Sequence, residues 1–295
     1  MRIGVDWGGT KIEVAVLNGA KEFVWRKREP TPRHDYEGCI RLVRHLIDCA
    51  EDAIGRARSI GVGIPGTISP TSGLVMNANS SWLNGKRLPE DLELALGRPV
   101  VFENDANCLA LSEAIDGAGS KYDIIFGAIL GTGVGGGVVF NKKMLVGAGA
   151  IAGEWGHNFM PLAGSDCDVP TRCWCGRMGC IETYISGPGF ERDYYLSSGE
   201  TLSAPEIVKR MRAGEPAARK CFDVYVSRLA ASVATVINLI DPDIIVVGGG
   251  MSNVGELYEL LPDKIPKKVF TDEFNTKIVP AVYGDSSGVR GAAML

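Results

Sequence analysis

Asp6-Trp7-Gly8-Gly9-Thr10-Lys11 stands between two β-branched runs, Arg2–Val5 and Ile12–Leu17. Apolar runs on both sides of a glycine pair predict two strands joined by a tight turn. Such a turn lets backbone N–H groups converge on an anion, because no Cβ blocks the approach. Gly4 to Lys11 also passes for a Walker A loop, but Thr10 precedes Lys11 and a strand, not a helix, follows. A second turn, Gly131-Thr132-Gly133, follows a predicted strand at Ile124–Leu130. The string from Gly131 to Val138 fits the dinucleotide fingerprint and the protein-kinase glycine loop as letters. The fingerprint must open a helix, whereas Gly137 leads into a predicted hairpin, Val138–Phe140 and Met144–Val146 across Asn141-Lys142. Neither His-Arg-Asp nor Asp-Phe-Gly occurs. What remains is a pair of hairpin phosphate loops, one opening each half of the chain.

Outward from these turns the same grammar appears twice. In the first half a strand at Phe23–Arg28 precedes a helix over Tyr36–Arg56, where Ile40, Val43, Leu46, Ile47, Ala50 and Ile54 recur at helical spacing. Strands at Ile60–Ile64 and Val100–Phe102 follow, then a helix from about Asn107 to Asp116. In the second half, helices are predicted at Ala204–Arg212 and Ala217–Ile240. The latter carries one apolar stripe through Phe222, Tyr225, Val226, Leu229, Val233, Val236, Ile237 and Ile240. A buried-type strand at Ile244–Val247 ends in Gly248-Gly249-Gly250. Two α/β halves of similar order are expected from an old duplication, divided as 1–117 and 118–284, with a C-terminal helix of about 285–295 packing back on the first.

The 295 residues carry 31 basic and 35 acidic side chains, a net charge of −4, which disfavours a nucleic-acid surface. Met1 to Asp6 holds no apolar leader, and the longest uncharged stretch, Ile124 to Phe140, is too short and too glycine-rich for a spanning helix. A cytoplasmic chain without membrane association is expected. Clustered cysteines in a reducing compartment point to metal or catalysis rather than to disulfides. Cys173, Cys175 and Cys180 follow His157, and a Cys₃His set closes a tetrahedral structural zinc site. They lie in a loop-rich insertion of about 147–183, with Cys167 as the spare thiol. Glu154 and Glu182 stand next to these ligands in sequence, so a metal knot would fix both in space. Glu103-Asn104-Asp105-Ala106-Asn107 supplies another acid at a strand-to-helix junction, where Asp105 is either a helix cap or a residue projecting into a cleft.

Asp6-x-Gly8-Gly9-Thr10-Lys11, Glu103 to Asn107, Gly131-Thr132-Gly133-x-Gly135, Glu154-x-Gly156-His157 and Cys173-x-Cys175-Gly176-x-x-Gly179-Cys180-x-Glu182 occur in the order seen in the ROK family of repressors and sugar kinases. The whole chain resembles that family. The strings Asn77 to Gly85 and Gly284 to Gly291 look most like its fructokinase/mannokinase branch. The resemblance implies a duplicated actin-like ATPase (ribonuclease H-like) fold with the active site in an interdomain cleft. It implies an ATP-dependent kinase acting on the 6-hydroxyl of a hexose, fructose first, with an N-acetylhexosamine or glucose kinase as the alternative. By the same resemblance Asp105 is the catalytic base, and Asn104, Asp105, Glu154, His157, Glu182 and Asn79 bind sugar. Asp6 holds Mg²⁺. Gly8, Gly9, Thr10, Lys11, Gly131, Thr132, Gly133 and Gly135 grip the ATP phosphates, and Gly249 borders the adenosine. His157, Cys173, Cys175 and Cys180 hold Zn²⁺, and the enzyme is expected to be a homodimer. The rival function is a sugar-responsive regulator. Such regulators carry a winged-helix DNA-binding segment ahead of the first strand, whereas here that strand is expected from Arg2.

Overall fold

Strands β1 (Arg2–Trp7) and β2 (Lys11–Leu17) pair antiparallel from Arg2 opposite Leu17 to Trp7 opposite Ile12. The chain therefore reverses across Gly8–Thr10, and the Gly8 N–H donates to the Lys11 carbonyl at 3.0 Å. In the computed structural model, which describes residues 1–161 and 170–295, this hairpin lies within a five-stranded sheet. Cys167 lies outside the described residues.

β3 (Phe23–Pro30) extends the hairpin, and the chain then crosses through helix α1 (Tyr36–Ile54) to β4 (Ile60–Ile64), parallel to β1. A small ribbon of β5 (Thr67–Ile68) and β6 (Val75–Met76) and helix α2 (Leu88–Leu96) lead to β7 (Val101–Asn104), parallel to β4. The sheet order is β3-β2-β1-β4-β7. After helix α3 (Asp105–Ile115) the pattern repeats. β8 (Ile124–Leu130), β9 (Val134–Phe140) and β10 (Lys143–Met144) form an antiparallel meander. Four helices follow in sequence, α4 (Glu182–Ile185), α5 (Gly187–Ser198), α6 (Ala204–Arg212) and α7 (Pro216–Ile240). β11 (Ile244–Gly248) is parallel to β8; past helix α8 (Glu256–Lys264), β12 (Lys277–Pro280) is parallel to β11. The second order, β10-β9-β8-β11-β12, is the first one repeated, directions included.

The core follows from the sequence pattern. Strands β4 and β11 are buried along their length and read as unbroken apolar runs, as parallel strands covered on both faces do. α7 is the described helix long and apolar enough to cross a membrane, and its stripe from Phe222 to Ile237 is buried in the second core. Helix α3 is buried nearly all round. Its Ala110 and Ala114 pack with Ile125, Val139, Ile244 and Val246 of the second sheet. Its other side meets helix α9 (Ser287–Met294), which returns across β1 and β4. Buried Glu113 fastens the two: it accepts from the N–H groups of Ala118, Val282 and Tyr283 and from the Ser287 hydroxyl.

β10 and β7 are displaced from the predicted Met144–Val146 and Val100–Phe102, and two further departures bear on the site. β9 begins at Val134, not Val138, because Gly135, Gly136 and Gly137 belong to the strand and not to a turn. A Cβ on Gly136 would lie 2.6 Å from the Phe126 ring and 2.8 Å from Trp155, so glycine there serves close packing. Helix α3 begins at Asp105, two residues before the predicted start, because the cap is Asn104.

Candidate active site

β7 ends where α3 begins, at the mouth between the two sheets. Asn104 caps the helix: its Oδ1 accepts from the N–H groups of Ala106 at 2.9 Å and Asn107 at 3.3 Å, and its Nδ2 donates to the Gly66 carbonyl at 3.1 Å. The capping role open to Asp105 in the sequence thus falls to its neighbour, and Asp105 becomes the first helical residue. Its Oδ1 accepts from the Ala106 N–H at 2.8 Å. Burial pushes the Asp105 carboxyl up to about 6; that Ala106 N–H opposes the rise and the charge of Glu154 adds to it. Asp6, at the end of β1, is pushed up to about 7 by burial and then by the charges of Asp105 and Glu13, against the pull of Lys11 and Arg28.

Glu13 was not singled out by the sequence reading. It lies opposite Asp6 in the β1–β2 register, fully buried, and pairs with Arg26 and with Arg28, whose Nε donates at 2.9 Å. The available signal was an acid inside the apolar run Ile12–Leu17 facing basic residues on the next strand. Lys11 reaches Asp285 at 3.8 Å. A Cβ on Gly288, in the first turn of α9, would lie 3.7 Å from Asp6 Oδ2.

The glycine turns converge. Gly131 N–H donates to Gly133 O at 3.0 Å, closing the second loop, and Gly187 N–H donates to Gly131 O at 2.8 Å. Gly249, with φ of 81°, sits against Leu130 and Gly131, which brings the third turn to the second. Thr10 and Thr132 are exposed at the two loop tips. The Asn-Ser segment lies between the loops: Ser80 Oγ is 2.7 Å from where a Cβ on Gly9 would be, and Asn79 Nδ2 is 3.9 Å from the same point on Gly133. Gly135 stands apart from the turn, inside β9, with its carbonyl accepting from Trp155 Nε1 at 2.8 Å.

Four ligand atoms, one each from His157, Cys173, Cys175 and Cys180, lie within 4.8 Å of one another. His157 Nδ1 is 3.6 Å from Cys173 Sγ, and Cys175 Sγ is 3.6 Å from Cys180 Sγ. A tetrahedral zinc with Zn–S near 2.3 Å and Zn–N near 2.0 Å has S···S edges of about 3.8 Å and S···N edges of about 3.5 Å. The donor set and its spacing fit that ion. Among the described residues of this region, the regular structure is a 3₁₀ turn at Trp155–His157 and the bridges Phe159–Cys180 and Arg172–Met178.

The remaining acids stand beside this cluster. Glu154 precedes the 3₁₀ turn, immediately after Gly153, whose φ of 91° and close approach to the Gly136 carbonyl exclude a side chain. Burial raises the Glu154 carboxyl, and the charge of Glu182 raises it further. Glu182 is buried; its Oε2 accepts from the Val134 N–H at 2.9 Å and its Oε1 from Trp174 Nε1 at 2.6 Å. Trp174 also escaped the sequence reading, although a tryptophan between two ligand cysteines was visible there. Glu154, His157 and Trp174 line a cavity of about 670 Å³ together with Asn77, Ser81 and Asn84 of the first half. A second cavity of about 760 Å³, beside the start of α7, contains none of the residues singled out above.

Two copies of one sheet, each opening on a strand, a glycine turn and a strand, have the actin-like ATPase fold, and the relatives that share it make this an ATP-dependent sugar kinase. The chain belongs to the ROK family, whose profile matches residues 2–295. It is 42% identical over its full length to an N-acetyl-D-glucosamine kinase of Pectobacterium atrosepticum, covering 98% of that protein. Among solved structures, a ROK family glucokinase from Streptomyces griseus, in complex with glucose and AMPPNP, is 28% identical with a TM-score of 0.84, covering 99% of this chain and 98% of that one. A ROK hexokinase from Thermus thermophilus is 29% identical with a TM-score of 0.85, covering 99% and 96%.

Among these relatives, the full-length one at 42% identity is an N-acetylglucosamine kinase, the activity the resemblance gave as the alternative to fructose. Of the two strings that pointed to fructose, Ser80, Asp285 and Gly288 stand against Gly9, Lys11 and Asp6, whereas Asn77, Ser81 and Asn84 line the cavity with Glu154 and His157.

Proposed function

We propose that the protein transfers the γ-phosphoryl group of ATP to the 6-hydroxyl of N-acetylglucosamine. The observation that carries the substrate is the full-length identity to the Pectobacterium enzyme. Phosphoryl transfer asks for positioning and charge stabilisation more than for covalent help. In this reading Asp105 accepts the proton of the 6-hydroxyl as that oxygen attacks phosphorus in line. A carboxyl titrating at about 6 is largely ionised at pH 7 and is a stronger base than an ordinary aspartate. Asn104, Glu154, His157, Glu182 and Asn79 orient the sugar through its hydroxyls. Gly8 and Gly131 close the two turns through their own N–H groups, and the backbone N–H groups of Gly9, Thr132 and Gly133, with the side chains of Thr10, Lys11 and Thr132, hold the phosphates, while Gly249 borders the adenosine. Asp6, a carboxyl raised to about 7 by burial beside Asp105 and Glu13, would have its charge compensated by a bound cation and so fits a site for Mg²⁺, which would supply neutralisation of the phosphate oxygens when bound. His157, Cys173, Cys175 and Cys180 would hold zinc in a structural role, since four protein ligands leave no open position for substrate. The halves 1–117 with 285–295, and 118–284, would close over the sugar and keep water from competing as acceptor.

Glucose is the second reading, favoured by the Streptomyces griseus relative solved with that sugar. Initial rates with ATP and N-acetylglucosamine, N-acetylmannosamine, glucose and fructose decide between them. The expected result is a kcat/KM for N-acetylglucosamine at least about tenfold above the others, the size of effect one well-read substituent gives. Glucose or fructose equalling it would overturn the assignment.

A further inference from the structure

We propose that Trp174 reads the substituent at C2 of the sugar, its ring packing on the acetamido group while its N–H fixes Glu182. The inference rests on the sugar-kinase reading above and deepens it. Trp174 lies between Cys173 and Cys175, so its main chain is pinned on both sides by proposed metal ligands. The indole is held as well: Nε1 donates to Glu182 Oε1 at 2.6 Å, and the ring meets His157 edge-on at 5.1 Å and 81°. Yet the residue is 49% exposed, and it lines the same cavity as Glu154, His157 and the exposed Ile151. An immobilised indole with an open face in a cavity is a ready apolar surface, already ordered before any ligand arrives.

The geometry of a pyranose says which part of the sugar meets that face. C2 and C5 stand opposite each other in the ring, so a sugar with its 6-hydroxyl at Asp105 sends its C2 substituent to the far end of the site. Glu154 is the electrostatic neighbour of both Asp105 and Glu182, and Glu182 is bonded to Trp174. Glu154 shares the cavity with Trp174, and its charge bears on Asp105, so the indole belongs to the sugar side of the site. A hydroxyl at C2 offers this face nothing apolar. An acetamido group offers a methyl and a planar amide, both of which pack on an aromatic ring. Glu182 is locked at its other oxygen by the Val134 N–H, directly after the second phosphate loop. Loss of the indole N–H alone should therefore disturb every hexose alike.

The two parts of the role separate in two variants. Trp174→Phe keeps a ring and removes the N–H; Trp174→Ala removes both. Rates with N-acetylglucosamine and glucose are measured for each variant and the unmodified enzyme, with zinc content and circular dichroism as controls for folding. Trp174→Phe should lower kcat/KM for both sugars by a similar factor. Trp174→Ala should lower the ratio of N-acetylglucosamine to glucose by about tenfold, chiefly through KM, the scale of one lost apolar contact in a specificity pocket. If that variant loses zinc or fold, Trp174→Leu, which keeps apolar bulk without a ring face, is read in the same way and should lower the ratio at least about threefold. An unchanged ratio in the folded variant overturns the proposal, whichever sugar the unmodified enzyme prefers. A preference of the unmodified enzyme for glucose, with the ratio still falling in the variant, overturns the substrate reading instead.

Discussion

Asp6 and Asp105 are buried within reach of each other's charge, and the fold bears the consequence. A carboxyl that titrates near 7 in the folded chain and near 3.8 unfolded keeps a proton that the unfolded chain releases. Stability therefore falls as pH rises from about 4 to about 7, and the penalty is fully present above 7. Asp6→Asn removes that penalty along with the proposed Mg²⁺ site. Its melting temperature at pH 8 should exceed that of the unmodified chain by roughly 2–4 °C per kcal/mol recovered, with the gap closing toward pH 4 and phosphorylation lost. A variant less stable at pH 8 would show that Asp6 is stabilised by contacts rather than strained by burial. Much of this was legible in the sequence, since an acid next to a glycine turn and an acid at a strand-to-helix junction both stand out. Which of Asn104 and Asp105 caps α3 was not, because both are good caps and the choice depends on where β7 stops. Glu13 and Trp174 were hidden for a related reason: their meaning lies in partners across the sheet or across a loop, Arg28 for one and Glu182 for the other.

At the scale of elements, helices and buried strands declare themselves by period, whereas the insertion does so by ligand spacing alone. β4, β8 and α6 occupy the spans their apolar patterns predict. β9 does not, because three glycines that read as a turn are there to let Trp155, Phe126 and α3 approach the backbone. His157 and Cys173 to Cys180 bring the ligand set together beside Glu154 and Glu182, so metal and sugar binding should be coupled. The purified protein is expected to hold one zinc per chain, and Cys175→Ser with Cys180→Ser to lose it. In the folded double variant, the sugar KM should rise at least about tenfold, as losses of supporting groups around a metal do, while ATP affinity by calorimetry changes little. Zinc retained in the variant, or ATP affinity lost with sugar affinity intact, would contradict these roles.

Across the whole molecule, the repeated sheet order places one phosphate loop at the end of β1 and the other at the end of β8, with α3 and α9 packed between the halves. That duplication was legible as a repeated strand, glycine turn, strand pattern. The sugar was not, because the cavity around Glu154 and His157 is assembled from Asn77 to Asn84 and a distant insertion, whose meeting sequence order does not give. In the proposed reaction the base is Asp105, whereas Glu182 and Asn104 are committed to hydrogen bonds with their surroundings. Asp105→Asn, close in shape and able to keep the Ala106 contact, tests it. Steady-state kinetics with calorimetry should give a kcat for N-acetylglucosamine reduced by at least ~10²-fold, the usual loss on removing a positioned base, with sugar affinity nearly unchanged. A loss smaller than about fivefold would place the base elsewhere and contradict the account.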